Sequence, residues 1–130
     1  MEDWKIKVSV LWLVWESAAL VTPIMEQFIP GYLEEALKEV TPELLLILAI
    51  VMLIAPLMAL LSLTLKDSIN RWLNIIVGIV FAGLGLFGTI GWLADPSYRA
   101  YSAFAILVGI VEVVVAALIV WFAWKSKQKA

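Results

Sequence analysis

Two glutamates stand inside long apolar stretches of this chain, and they are its main candidates for chemistry. Glu16 lies in SVLWLVWESAAL at residues 9–20, and Glu112 lies in SAFAILVGIVEVVVAALIVWFAW at residues 102–124. A charged side chain at the centre of a bilayer costs at least about 2.5–3.5 kcal/mol on insertion scales, so such a residue is paired, protonated, hydrated or used. Two carboxyl groups at one depth can bind a proton, a cation or a small ligand, and they can share one proton if they approach.

Few other polar groups are available at the depth of these glutamates. Trp12 lies one turn before Glu16, so its indole N–H is the best placed donor to that carboxylate, while Gln27 and Thr89 are further polar side chains of the apolar stretches. No lysine or arginine lies at this depth. We interpret Glu16, Glu112, Trp12, Gln27 and Thr89 as a proton or ligand site. The alternative is that the glutamates are protonated and join helices by hydrogen bonds.

The composition limits what other chemistry the chain can perform. It contains neither cysteine nor histidine, which excludes thiolate metal sites, disulfides and nucleophiles of the Ser-His or Cys-His kind. We expect no metal, no cofactor and no catalytic residue. The net charge of −2 gives no indication of a nucleic-acid partner. The composition therefore favours a non-enzymatic protein.

Four apolar stretches must position these side chains, and each can cross a bilayer once as a helix. The chain is 64% hydrophobic and 15% charged, whereas soluble domains average about 45–50% and about 25%. A helix of about 22 residues spans roughly 33 Å, and the hydrocarbon core is about 30 Å thick. The predicted spans are residues 8–29, 43–65, 72–93 and 102–124, in one membrane domain of residues 1–130.

The connection between the first two spans carries signals of its own. Leu33, Leu37 and Val40 share one helical face, so a short surface helix is predicted at residues 31–40, with a solvated acidic loop as the alternative. Thr41 and Pro42 are typical of an N-cap and a first helical position, and they predict where the second span begins.

Small residues indicate which faces of the spans pack together. Gly78, Gly85 and Gly88 recur along the third span, and Gly109 lies in the fourth. Glycines at such spacing let two membrane helices approach closely. We therefore predict an all-α, antiparallel four-helix bundle with these four glycines at its helix contacts.

Basic residues are unevenly distributed between the two ends of the spans. Seven are expected on the side of the termini and of the loop between spans two and three, against two on the other side. The seven are Lys5, Lys7, Lys66, Arg71, Lys125, Lys127 and Lys129. Cytoplasmic loops carry such an excess, so both termini are predicted to be cytoplasmic.

Several short motifs occur in order along most of the chain. They are KIKVSVLW near the N-terminus, PGYLEE after the first span, SLTLKDSINRWLNIIVG at residues 62–78 and WFAWK at residues 121–125. Together they resemble an uncharacterised family of small four-span prokaryotic integral membrane proteins. The resemblance implies the fold and a prokaryotic plasma membrane, and it implies no activity. Within its most specific block, Asn70 is expected to end the loop and Asn74 to cap or bridge helices.

Three functions remain open at this point. In the first, the carboxylate pair binds a proton, a cation or a small ligand. In the second, the chain is a structural or accessory subunit that packs against another membrane protein or a second copy. In the third, a lipid or quinone binds between the helices. Changing Glu16 and Glu112 to glutamine impairs the first function and leaves the second intact.

Overall fold

The computed structural model describes residues 3–96 and 98–126, and these residues form an all-helical fold. The helices are α1 (Asp3–Glu26), α2 (Tyr32–Glu39), α3 (Pro42–Thr64), α4 (Asp67–Ala94) and α5 (Ser102–Ser126), with a short 3-10 helix at Arg99–Tyr101. All except α2 are long and apolar enough to cross a membrane. The predicted all-α four-helix bundle is confirmed. Lys127 and Lys129, used above for orientation, lie outside the described residues.

Local signals explain where several helices begin and end. The Thr41 hydroxyl accepts a hydrogen bond from the backbone N–H of Leu44 at 3.1 Å, and Pro42 follows as the first residue of α3. The first helix ends at Glu26, short of the predicted residue 29. The chain then turns through Gly31, whose φ of 78° lies in the left-handed region that glycine adopts without strain.

The helices pack in the spatial order α3, α1, α5, α4. Helix α1 lies between α3 and α5, and α5 lies between α1 and α4. The hydrophobic core between them is built mainly from large side chains, including Val8, Trp12, Phe81 and Ile119. Helices α3 and α4 make few contacts with each other, although only Leu65 and Lys66 separate them in sequence.

The half of α3 that lies farthest from this short connection stands apart from the bundle. Every residue from 42 to 50 is exposed, and the buried residues of α3 are Ala55, Met58, Ala59 and Ser62. The bundle is therefore closed at the end that carries the two termini and the α3–α4 connection. We call this the termini end, and we call the opposite end, which carries α2, the α2 end.

Candidate functional site

Glu16 lies in the middle of α1 and is partly buried. Its Oε2 atom is buried and has no hydrogen-bond partner among the described residues. Ser9, two turns earlier on the same face, donates its hydroxyl to the Ala59 carbonyl of α3 at 2.8 Å, so Glu16 lies on the α3 side of α1. A buried carboxylate oxygen without a donor is strongly unfavourable unless the group carries a proton or binds a cation.

Glu112 lies in the middle of α5, where it packs against α4. A Cβ built on Gly85 of α4 would lie 3.1 Å from the Glu112 Cβ and 3.2 Å from its Oε2. The absence of a side chain at Gly85 therefore creates the space that the glutamate occupies. Glu112 is half-buried, and no hydrogen bond or ion pair reaches it from the described part of the chain.

The two glutamates lie at one level of the bundle. Glu16 follows the start of α1 at Asp3 by 13 residues, and Glu112 precedes the end of α5 at Ser126 by 14 residues. These helices are antiparallel neighbours whose termini share one end, so the two positions match in depth. In residues 3–96 and 98–126 no hydrogen bond joins the two carboxyl groups. The structure therefore brings them to one depth without the direct contact that a shared proton requires.

Trp12 has a different partner from the predicted one. Its Nε1–H donates to Oδ1 of Asn74 on α4 at 2.7 Å, and its ring meets Phe81 edge to face at 5.3 Å. The indole points across the core rather than along α1, so the interpretation of Trp12 as a donor to Glu16 is wrong. The neighbouring Trp15 packs on Phe81 at 4.6 Å, and its indole N–H is buried without an acceptor among the described residues.

Gln27 and Thr89 do not join the glutamates in one polar cluster. Gln27 lies in the turn after α1 and is exposed, because α1 ends one residue earlier. The Thr89 hydroxyl donates to the Gly85 carbonyl of its own helix at 2.9 Å. Its side chain packs against Gly109 of α5. Thr89 thus belongs to the α4–α5 contact, one turn from the Glu112 level.

Three of the four predicted packing glycines lie at helix contacts, and one does not. Besides Gly85, a Cβ on Gly78 would lie 2.8 Å from Val120, and a Cβ on Gly109 would overlap the Thr89 hydroxyl. Gly88 is exposed and has no atom within 4 Å of its Cβ position. Its rotation about α4 places it about 60° from the stripe that begins at Gly85, so within one copy it packs against no helix.

The expectation that Asn74 bridges helices is confirmed, but sequence reasoning missed the buried polar network to which it belongs, at the termini end of the core. Trp12 donates to Asn74, whose amide donates to Oδ1 of Asn70 at 2.6 Å and to its carbonyl at 2.9 Å. The Asn70 amide in turn donates to the Ser62 carbonyl of α3 at 2.7 Å. All four residues are fully buried. The expectation that Asn70 ends the loop is wrong, because Asn70 lies inside α4, which begins at Asp67.

This network joins α1, α3 and α4 and is structural. The Asn70 amide donates to the carbonyls of Ser62 and Leu65. The Asn74 amide donates to the carbonyl and to Oδ1 of Asn70, so both side-chain amides have two acceptors. Amide and indole groups do not titrate near neutral pH, so they supply no acid or base. Two asparagines four residues apart in an apolar helix are the signal that could have revealed it.

A second cluster of functional interest lies at the α2 end, and it is aromatic. Tyr32 of α2 stacks on Trp92 of α4 at 5.6 Å, and Tyr98 meets both rings at 5.1 Å and 6.0 Å with its plane steeply inclined. Phe104 of α5 contacts Trp92 at 5.2 Å. Burial, followed by the neighbouring Glu26 carboxylate, raises the pKa of Tyr32 to about 12.

Comparison with known proteins places the chain in a family context without assigning an activity. The model of a family described as a family of unknown function, DUF6326, matches residues 4–129. The match includes both glutamates, the asparagine network and the aromatic cluster. No curated protein and no solved structure matches the chain. The resemblance to a family of unknown function is therefore confirmed.

Proposed function

Since the chain belongs to the family of unknown function DUF6326, we propose its role from its own residues: it is a non-enzymatic integral membrane protein that binds a proton or a small cation at Glu16 and Glu112. The observation that carries this proposal is the buried Oε2 of Glu16, which has no donor among the described residues. An ionisable group at this depth is a functional candidate by default.

The surroundings of the two carboxyl groups support a positively charged occupant. Glu112 contributes a second acidic group at the same level. Arg71, the basic residue of α4, stands fourteen residues before Gly85, about 21 Å along the helix axis. It therefore lies far from the place where Glu112 packs. A proton or a cation supplied from outside the chain would offset the negative charge that no side chain there neutralises.

The exposure of residues 42–50 of α3 supports access to Glu16. Glu16 faces α3, and the α2-end half of α3 is detached from the bundle. A small ligand can approach Glu16 there without crossing the closed core at the termini end, whereas Glu112 lies on the α4 side of α5. The uneven distribution of basic residues supports an orientation with the termini end cytoplasmic, and the prokaryotic plasma membrane is what the family resemblance implies.

Carbodiimide labelling tests this proposal. Dicyclohexylcarbodiimide partitions into bilayers and modifies protonated carboxyl groups, and mass spectrometry of peptides locates the adduct. In liposomes, we expect modification at Glu16 and Glu112, and we expect added cation or raised pH to reduce it. Glu34→Gln is the matched control, because it removes an exposed carboxylate of α2 and should leave the labelling of Glu16 and Glu112 unchanged. Absence of both adducts, or adducts that no cation or pH change affects, would refute the proposal.

The accessory-subunit function is the second candidate, and one observation favours it. Residues 42–50 of α3 are exposed on every side and include Leu46 and Ile47 at 63% and 57% exposure. A second copy or another membrane protein would cover this surface. Counting photobleaching steps of labelled chains in liposomes separates the candidates. An oligomer that survives Glu16→Gln and Glu112→Gln and dissociates on Leu46→Ser favours the accessory function, whereas a monomer favours the ligand site.

Lipid or quinone binding between the helices is the third candidate function. The detached half of α3 exposes apolar side chains, among them Leu45, Leu46 and Leu48. An apolar molecule that remains bound in native mass spectrometry, and that Glu16→Gln does not release, would favour this function over cation binding.

A further inference from the structure

The aromatic cluster at the α2 end lines an open pocket that is separate from the two glutamates. The pocket has a volume of about 320 Å³ and is lined by Tyr32, Trp92, Tyr98, Gly88, Gly91 and Asp95. Ligand pockets range from about 300 to 1,000 Å³, so this one suits a small molecule or the head of a larger one. Its lining combines three aromatic rings with one carboxylate.

The arrangement of the rings determines which ligand the pocket suits. Tyr32 and Trp92 lie nearly parallel, with 8° between their planes, and Tyr98 is inclined to them by 66° and 64°. Centroid distances of 5.1, 5.6 and 6.0 Å mean that the three rings contact one another, so a ligand meets only the faces and edges that these contacts leave free. A free aromatic face attracts an organic ammonium group through cation–π interaction.

The charges around the pocket favour the same ligand. Asp95 lines the pocket, and the Glu26 carboxylate lies beside the Tyr32 hydroxyl. Among the described residues, lysine side chains lie over Trp4 and Phe122 but not over the rings of this cluster.

The two glycines of the lining leave the pocket its space. No atom lies within 4 Å of the Cβ position of Gly88 or of Gly91. Glycines at helix contacts normally touch a neighbouring helix, as Gly85 and Gly109 do in this chain. At Gly88 and Gly91 the missing side chains instead leave open space in the pocket beside Trp92.

We propose that this pocket binds an organic ammonium group against the faces of Tyr32, Trp92 and Tyr98, with Asp95 at its rim. The ammonium group can belong to a free small molecule or to a lipid headgroup, since both present the same chemistry. The proposal does not rest on the carboxylate pair, because none of the lining residues belongs to it.

Choline is a suitable probe, and 3,3-dimethyl-1-butanol is its uncharged counterpart of the same shape. The full chain is placed in nanodiscs of phosphatidylglycerol, which carries no ammonium group, and binding is measured from the choline methyl signal by saturation-transfer NMR. We expect saturable binding of choline and at least threefold weaker binding of the alcohol, roughly the smallest effect that a cation–π contact provides. Equal binding of the two probes, or no saturable binding of choline, would overturn the proposal.

Variants separate ligand binding from a purely structural role of the rings. Trp92→Leu is expected to weaken choline binding roughly 3- to 30-fold, and Trp72→Leu, at the exposed opposite end of α4, is expected to leave it unchanged. Trp92→Phe retains an aromatic ring with a weaker π face, so its affinity should lie between those of wild type and Trp92→Leu. Unchanged affinity in Trp92→Phe would contradict the assignment even if Trp92→Leu fails to fold.

A steric variant tests the pocket without removing an aromatic ring. Gly91→Leu places a side chain in the open space of the pocket, whereas Gly83→Leu adds the same side chain at another open position of α4. We expect Gly91→Leu to abolish choline binding and Gly83→Leu to preserve it. Equal choline affinity in the two variants would refute the location of the site.

A change of lipid distinguishes the two sources of the ammonium group. If a headgroup occupies the pocket, replacing phosphatidylglycerol by phosphatidylethanolamine raises the apparent Kd for choline. If a free molecule is the ligand, that Kd stays the same. Carbodiimide labelling of Glu16 in Gly91→Leu keeps the two proposals apart, because it should persist when choline binding is lost.

Discussion

The hydrogen bond between Trp12 and Asn74 offers a direct test of how the bundle is held together. It joins two helices whose partner residues are 62 positions apart in sequence, and both residues are fully buried. The perturbation is a double-mutant cycle made of Trp12→Phe, Asn74→Leu and the two combined. Phenylalanine keeps an aromatic ring and removes the N–H donor, and leucine keeps a similar volume and removes the amide.

The expected magnitudes follow from the partners that each change leaves behind. Asn74→Leu removes the acceptor of the indole N–H and the donor to Oδ1 of Asn70. A buried group left without its partner costs about 1–3 kcal/mol, so the variant should lose about 2–4 kcal/mol. Trp12→Phe should lose about 1–2 kcal/mol, since hydrogen bonds between membrane helices average about 0.6 and reach about 1.7 kcal/mol and ring contacts are also lost. The coupling between the two changes should be about 1 kcal/mol.

The assay is reversible unfolding in mixed micelles with increasing sodium dodecyl sulphate, followed by circular dichroism. Ser17→Ala is the matched control, because the Ser17 hydroxyl is exposed and donates only to the Leu13 carbonyl of its own helix. Its stability should stay within about 0.5 kcal/mol of wild type. A coupling energy near zero in variants with native helix content would show that the Trp12–Asn74 bond does not stabilise the bundle.

Three further predictions concern single positions. Gly109→Val should destabilise the bundle by about 1–3 kcal/mol in the same unfolding assay, because the valine side chain would overlap Thr89. Gly83→Ala places its methyl group in open space and should leave the stability unchanged. Equal losses of stability in the two variants would contradict this prediction. Thr41→Val removes the cap of α3 and should cost about 0.5–2 kcal/mol, and an unchanged unfolding midpoint would argue against the cap. Tyr32 should ionise near pH 12 in the folded chain, whereas the unfolded phenol loses its proton near the ordinary pKa of 10.0. The stability of the fold should therefore fall as the pH rises between these two values. Ultraviolet titration of wild type against Tyr32→Phe checks this, and a Tyr32 pKa near 10 would refute it.

The features that the sequence predicted well are local ones. Each apolar stretch could be predicted as a helix, because a run of about twenty hydrophobic residues is recognised without knowing which helices it packs against. The cap at Thr41 and the short helix Tyr32–Glu39 likewise depend on adjacent residues. Gly78 and Gly109 were found as helix contacts because small residues at helical spacing form one stripe.

The features that the sequence did not predict depend on how the helices are rotated and paired. Trp12 was assigned to Glu16 because the two are one turn apart, but its indole points across the core to Asn74. Gly88 looked like a continuation of the stripe, but three residues of α4 turn it about 60° away from Gly85. The detachment of α3 from α4 also had no local signal, because a short loop ordinarily implies close neighbours.

The role of Glu16 and Glu112 as a working site is the central claim, and infrared difference spectroscopy in lipid tests it most directly. Wild type, Glu16→Gln and Glu112→Gln are compared while the pH is stepped from about 5 to about 9, a range in which a carboxyl group in water is mostly ionised. We predict a protonated-carboxyl band that weakens in each variant and that responds to pH or to an added cation. A band that stays constant under every condition would contradict the claim and would leave the two glutamates as protonated links between helices.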